Sequence, residues 1–147
     1  MRPLRSLPDD RLAASLEECG ATRSWAAAVA RRGPFADDAA LCAAIDDVLF
    51  GLDFEEVCTG LAAVPAPTLD QGDRDVREAA RLALQLYHDR FGYPFVSAIA
   101  APTADELLMR VRIRLGNDPE PEGRAAREHL RRLVRARVQQ LLDTGAS

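Results

Sequence analysis

TADELLMRVRIRLGNDPE, residues 103–120, decides how this chain is to be read. Thr103 is a good N-cap residue, and Glu106 stands at the third helical position, where a capping box places it. Leu107 and Val111 then recur four residues apart, the spacing of one apolar helix stripe. Gly116-Asn117 is a C-cap signal. The stretch therefore predicts a helix over 104–115, a short break, and a last helix from about Glu120 to Leu142.

The same pattern repeats outward. Ala, Leu, Arg and Glu dominate, all good helix formers, and β-branched runs are scarce. Apolar spacing predicts helices from about Pro8 to Cys19, Ser24 to Arg31, Asp37 to Phe50, Asp53 to Ala63 and Asp75 to Arg90. Asp53 with Glu56 has the form of a capping box. VPAPTLDQGD, residues 64–73, is a loop, and FGYPFVSAIA is the one stretch with an extended look, since Gly92 and Pro94 forbid a continuous helix. The expected fold is all-α, a single-domain bundle of about seven helices between about Leu7 and Leu142. The spacing assigns its core to Leu12, Leu16, Trp25, Val29, Leu41, Ile45, Leu49, Leu82, Leu86, Leu107, Val111, Leu133 and Leu141.

Composition removes several kinds of chemistry. The chain has 147 residues, 48% hydrophobic and 29% charged, which suits one core. All 19 basic residues are arginine, so Schiff-base catalysis, a lysine-anchored pyridoxal phosphate and a P-loop lysine are excluded. Cys19, Cys42 and Cys58 are odd in number and far apart, which reads as buried free thiols rather than a disulfide framework or zinc knuckle. Two histidines, His88 and His129, leave little for a metal site, and His129 among arginines reads as structural. The net charge of −4 argues against a surface that binds nucleic acid. No apolar run approaches the roughly 20 residues of a membrane span. MRPLRSLPDD lacks a signal core, so a cytoplasmic location is expected.

Charge is unevenly spread. Residues 1–109 hold ten arginines and eighteen acids, and residues 110–137 hold nine arginines and four acids. The basic stretch is either a helix face pairing with acidic neighbours or a set of guanidinium groups for an anionic small molecule. Arg114 illustrates the choice, since it can bind a ligand carboxylate or pair with Glu120 or Glu122.

Five landmarks in fixed order carry a resemblance: CGATRSWAAAVARRGPF at 19–35, LAAVPAP at 61–67, YHDRFGYPFV at 87–96, RLGNDPE at 114–120 and RARV at 135–138. Together they resemble the 2-oxo-4-hydroxy-4-carboxy-5-ureidoimidazoline (OHCU) decarboxylase family. The resemblance implies an all-helical domain, often a homodimer, with no metal and no organic cofactor. It implies decarboxylation of a small anionic heterocycle in urate breakdown, giving (S)-allantoin. The family's site comprises a His-Pro pair after a helix, a Ser-x-x-Glu-Gln motif, and the main chain after FG(F/Y)PF.

Carried onto this chain, the His of the pair falls on Val64 and the Pro on Pro65. The Glu-Gln motif is matched by Asp75-Val76-Arg77-Glu78-Ala79, which keeps Glu78 but lacks the Ser and Gln, and the usual Asn falls on Leu84. Glu78 is thus the catalytic candidate, either a proton carrier or a solvated carboxylate paired to Arg74 or Arg81. Pro65, Arg77, Phe95, Val96, Ser97, Ala98, Ile99 and Arg114 are the substrate-binding candidates, around a pocket expected between Val64-Pro65, the start of the fifth helix and residues 95–99. His88 either reaches that pocket or sits on the helix surface. Two other readings stand beside decarboxylation. One is a repurposed enzyme for another heterocyclic acid in specialised metabolism, in keeping with an Arg-only, Ala-rich composition of actinobacterial character. The other is a non-catalytic helical binding or dimerisation module.

Overall fold

The computed structural model describes residues 3–69, 72–101 and 103–145. Among them the order is a 3-10 turn, Leu4–Ser6, followed by α1 (Asp9–Glu18), α2 (Arg23–Ala30), α3 (Asp38–Gly51), α4 (Phe54–Ala63), α5 (Arg74–Phe91), α6 (Ala104–Leu115) and α7 (Pro119–Gly145). No strand occurs among the described residues, and no helix there is long and apolar enough to cross a membrane. The chain divides into two compact units: residues 1–60 with 131–147, and residues 61–130.

In the first unit the helix starts follow from local hydrogen bonding. The Thr22 hydroxyl accepts the Trp25 amide at 3.3 Å, and the Asp37 carboxylate accepts the Ala40 amide at 2.8 Å. Gly20 takes φ of 107° after α1, a conformation L side chains rarely adopt, and a Cβ there would lie 3.4 Å from Val134. Leu12, Leu16, Trp25, Val29, Leu41, Ile45, Leu49 and Val57 are buried together with Val134, Val138 and Leu142 of α7. The buried indole of Trp25 donates to the Ile45 carbonyl at 3.0 Å, so its one polar atom is satisfied. Arg135 meets Asp46 at 2.7 Å and Arg131 meets it at 3.6 Å, so part of the basic helix face does pair with an acidic neighbour.

In the second unit α5 and α6 run side by side in the same direction. At their starts a Cβ on Gly72 would lie 3.9 Å from the Ala104 Cβ, and at their ends Arg90 donates to the Asn117 carbonyl at 2.9 Å. The Asp73 carboxylate caps α5 and the Thr103 hydroxyl caps α6. Gly92, with φ of 84°, ends α5 in the left-handed conformation, its amide donating to the His88 carbonyl. The chain then returns through residues 92–101, where no strand forms.

Four expected core residues are corrected. Leu82, Leu86 and Leu141 are 58%, 59% and 37% exposed, and Leu133 is half-buried. The buried stripe of α5 is Ala80, Ala83 and Tyr87, and that of α7 is Ala126, Leu130, Val134, Val138 and Leu142. Spacing alone favours the bulky aliphatics. The face that α5 buries carries small residues and one tyrosine, and Leu82 and Leu86 lie on its exposed face.

Candidate functional site

The segment after FGYPF lies within the second unit, and side chains of three helices hold it. Phe95 and Val96 are buried, Ser97 and Ala98 half-buried and Ile99 exposed. The Tyr87 ring meets Phe91, Tyr93 and Phe95 at centroid distances of 4.7, 5.9 and 5.4 Å, the last two edge-on. Over this cluster lies the Arg114 guanidinium, 4.4 Å from the Phe95 ring centre.

Arg114 is buried and fully engaged. Its Nε donates to Glu122 Oε2 at 2.8 Å, its Nη2 stands 2.6 Å from the same oxygen, and its Nη1 donates to the Val96 carbonyl at 2.6 Å. Glu122 has no exposed surface. Asn117 Nδ2 donates to its other oxygen at 2.9 Å, and the Tyr87 hydroxyl donates to Oε2. Burial, then the bond to Glu122, pushes the Tyr87 phenol far above its ordinary range, so it remains a donor. Of the alternatives open for Arg114, the structure shows the Glu122 pair. A guanidinium spent on an internal carboxylate and a carbonyl has no fork left for a ligand.

Further along the segment, the Ala98 amide donates to His129 Nδ1 at 3.0 Å. Arg110 Nη1 donates to the carbonyls of Ile99 at 2.8 Å and Ala100 at 2.7 Å. Ser97 Oγ accepts the Ile99 amide at 3.1 Å.

The other candidates lie apart from this cluster in their bonding. Val64 is half-buried just after α4 and Pro65 is exposed. Glu78 is exposed and pairs with Arg81 one turn on, one of the two partners considered for it. His88 is exposed on α5. Arg77 is half-buried, and its Nε is buried with no hydrogen-bond partner. A buried donor without a partner is uncommon and costs desolvation energy, and an anion would satisfy it. Among the described residues no hydrogen bond or ion pair joins Val64, Pro65, Arg77 or Glu78 to residues 95–99, and no cluster of three His, Cys, Asp or Glu side chains could hold a metal.

Two surface cavities have other linings. One of about 510 Å³ lies along α6 beside Leu108, Met109, Arg112 and Ile113. The other, of about 220 Å³ in the first unit, is lined by Glu18, Cys19, Arg137, Gln140, Leu141 and Thr144. Arg137, Gln140 and Thr144 recur at helical spacing along α7, but Glu18 shares the lining and the Thr144 hydroxyl donates to the Gln140 carbonyl at 2.9 Å. Sequence reading placed Arg137 inside the RARV landmark but gave it no role.

The OHCU decarboxylase family profile matches residues 5–67 and 65–139. A 2-oxo-4-hydroxy-4-carboxy-5-ureidoimidazoline decarboxylase from Amia calva is 35% identical over 79 residues, which is 54% of this chain and 43% of that protein. The uric acid degradation bifunctional protein of Bacillus sp. (strain TB-90) is 29% identical over 77 residues, 52% of this chain and 15% of that protein. The matched stretch thus spans less than half the length of these curated relatives. Among solved structures, (S)-allantoin synthase superposes with a TM-score of 0.82 at 21% identity, over 95% of this chain and 53% of its own. OHCU decarboxylase crystallised in the presence of (S)-allantoin superposes with a TM-score of 0.76 at 18% identity, over 86% of this chain and 96% of its own. At these identities the likeness is one of fold.

Proposed function

Because the chain belongs to the OHCU decarboxylase family, we propose that it is a cofactor-independent carboxy-lyase taking 2-oxo-4-hydroxy-4-carboxy-5-ureidoimidazoline to (S)-allantoin, slowed by the valine at 64. The observation that carries this reading is the family match running from residue 5 to residue 139. The reaction breaks the bond from ring carbon C4 to the carboxylate, releases CO₂, leaves C4 and its hydroxyl as the carbonyl of the product, and delivers a proton to one face of the adjacent ureido-bearing carbon. A histidine holds and donates a proton near neutral pH, and valine does not. In this reading Glu78 or solvent supplies the proton, Arg77 meets the anionic substrate, and the main chain of 95–99 fixes the ring. Arg77, a half-buried residue whose buried Nε has no hydrogen-bond partner, supports its part. The proposal extends to one functional domain over about 7–142, a homodimer and a cytoplasmic location, each supported by the family resemblance.

Val64→His tests the proposal. If the family reaction is retained, the added imidazole raises the rate, by up to the roughly hundred- to ten-thousand-fold that a placed general acid contributes. A second reading, a repurposed family member with another heterocyclic acid, is favoured by Val64 itself and by the ion pair that occupies Glu78. There Val64 is an apolar contact, and His weakens ligand binding by roughly 1–3 kcal/mol of uncompensated desolvation. The two readings predict opposite signs for one substitution, read by stopped-flow assay on freshly generated substrate. A wild type as fast as ordinary family members overturns the role given to the missing imidazole.

A further inference from the structure

We propose that Arg110, Arg114, Glu122 and His129 are positioning residues that set the main chain of 96–100 in the one conformation used for binding, with Glu122 acting through Arg114. The part about binding rests on the function proposed above; the part about positioning does not.

The arrangement is more specific than a buried ion pair placed for stability. Arg110 and Arg114 stand one turn apart on α6, and Glu122 and His129 stand two turns apart on α7, so each pair shares a face of its helix. The two faces converge on one short irregular segment. From them come a donor to the Val96 carbonyl, an acceptor for the Ala98 amide and a donor shared by the Ile99 and Ala100 carbonyls. An irregular segment has no ladder to fix it, so side chains meet its main-chain groups: these from α6 and α7, and Ser97 Oγ, which accepts the Ile99 amide within the segment. Glu122 does not touch the segment. Its carboxylate takes two nitrogens of the guanidinium, the Tyr87 hydroxyl and the Asn117 amide, which leaves Nη1 aimed at Val96. Arginine is required at 114 because its planar fork serves the carboxylate and the carbonyl together, and a single ammonium does not.

The His129 bond gives a second, independent handle. A ring nitrogen that accepts a backbone amide carries no proton, so the neutral tautomer bears its hydrogen on Nε2. Asparagine places a carbonyl oxygen near the Nδ1 position and can replace the acceptor; leucine cannot.

Amide hydrogen exchange on the whole protein tests positioning without reference to activity. Glu122→Gln and Arg114→Lys should each speed exchange at Val96, Ala98 and Ile99 at least tenfold, with amides in the middle of α5 changed less than twofold. His129→Leu should do the same at Ala98 with the ion pair intact, and His129→Asn should restore protection. In the ureidoimidazoline assay the same variants should raise KM at least fivefold and leave kcat within twofold, because they loosen a binding surface and remove no proton donor. Evenly increased exchange across residues 61–130, or unchanged exchange at 96–100, overturns the positioning role. If Glu122→Gln does not fold, the His129 pair decides the matter. Local exchange effects in a wild type inactive on the ureidoimidazoline would sink the functional reading and leave positioning standing. Local effects with unchanged KM in an active enzyme would show that the segment is not the binding surface.

Discussion

At the scale of single residues, Arg114 and Glu122 show how one arginine among nineteen acquires a fixed task. Both members of the pair are withdrawn from water, which costs several kcal/mol per ion unless every donor and acceptor is met. Here Tyr87, Asn117 and the Val96 carbonyl meet them. Glu122→Ala strands a buried guanidinium and should cost about 3–5 kcal/mol in a denaturant melt. A loss under about 1 kcal/mol, the range of an exposed pair, would show that water reaches the site.

The thiols give a pH dependence. Burial pushes Cys19 and Cys42 up, so the folded protein holds their protons more tightly than the unfolded chain, whose thiols ionise near pH 8.5. This contribution to stability is complete below about pH 8.5 and is lost as pH rises toward the folded values. Melting temperature should therefore fall between about pH 8 and pH 10, below the tyrosine range, and fall less in the Cys19→Ala/Cys42→Ala protein. Equal slopes in the two proteins would remove the thiols from the explanation.

At the scale of elements, α5 is the instructive helix. It carries leucines at 82, 84 and 86, yet it buries Ala80, Ala83 and Tyr87. Leu82→Gln should change stability by no more than about 0.5 kcal/mol, as at an exposed position. Ala83→Leu, which adds bulk at a buried position, should cost about 1–3 kcal/mol. Thermal melts of the two variants read the phase of the helix directly, and the reverse ranking would restore the leucines to the core. Helix ends are better determined than helix faces. Thr103, Asp37 and Thr22 cap the helices that follow them, and Gly92 terminates α5, each through a bond to a near neighbour in sequence.

At the scale of the whole molecule, the first unit is discontinuous in sequence. Residues 1–60 complete it only with residues 131–147. Val134, Val138 and Leu142 are buried, and Val134 lies against Gly20. A chain ending at Leu130 should therefore lose the packed environment of Trp25, the only tryptophan and fully buried. Its fluorescence should shift to that of exposed indole and melt without a cooperative transition. A truncated chain with native emission would mean that 1–60 folds without the end of α7.

What the sequence determined by itself is local: the seven α-helices among the described residues, with ends correct to within about three residues, the absence of lysine chemistry, the breaks between α4 and α5 and between α5 and α6, and the family. Caps, glycine stops and apolar spacing act over a few residues and are written in consecutive letters. The tertiary structure alone decided which face of α5 is buried, that Glu122 rather than Glu120 or a ligand takes Arg114, that Arg81 takes Glu78, and that His129 serves a backbone amide. Each of these depends on distance between segments that sequence spacing does not encode. An arginine has the same letter whether its fork meets a ligand, a neighbour or a carbonyl, and only its surroundings select among them.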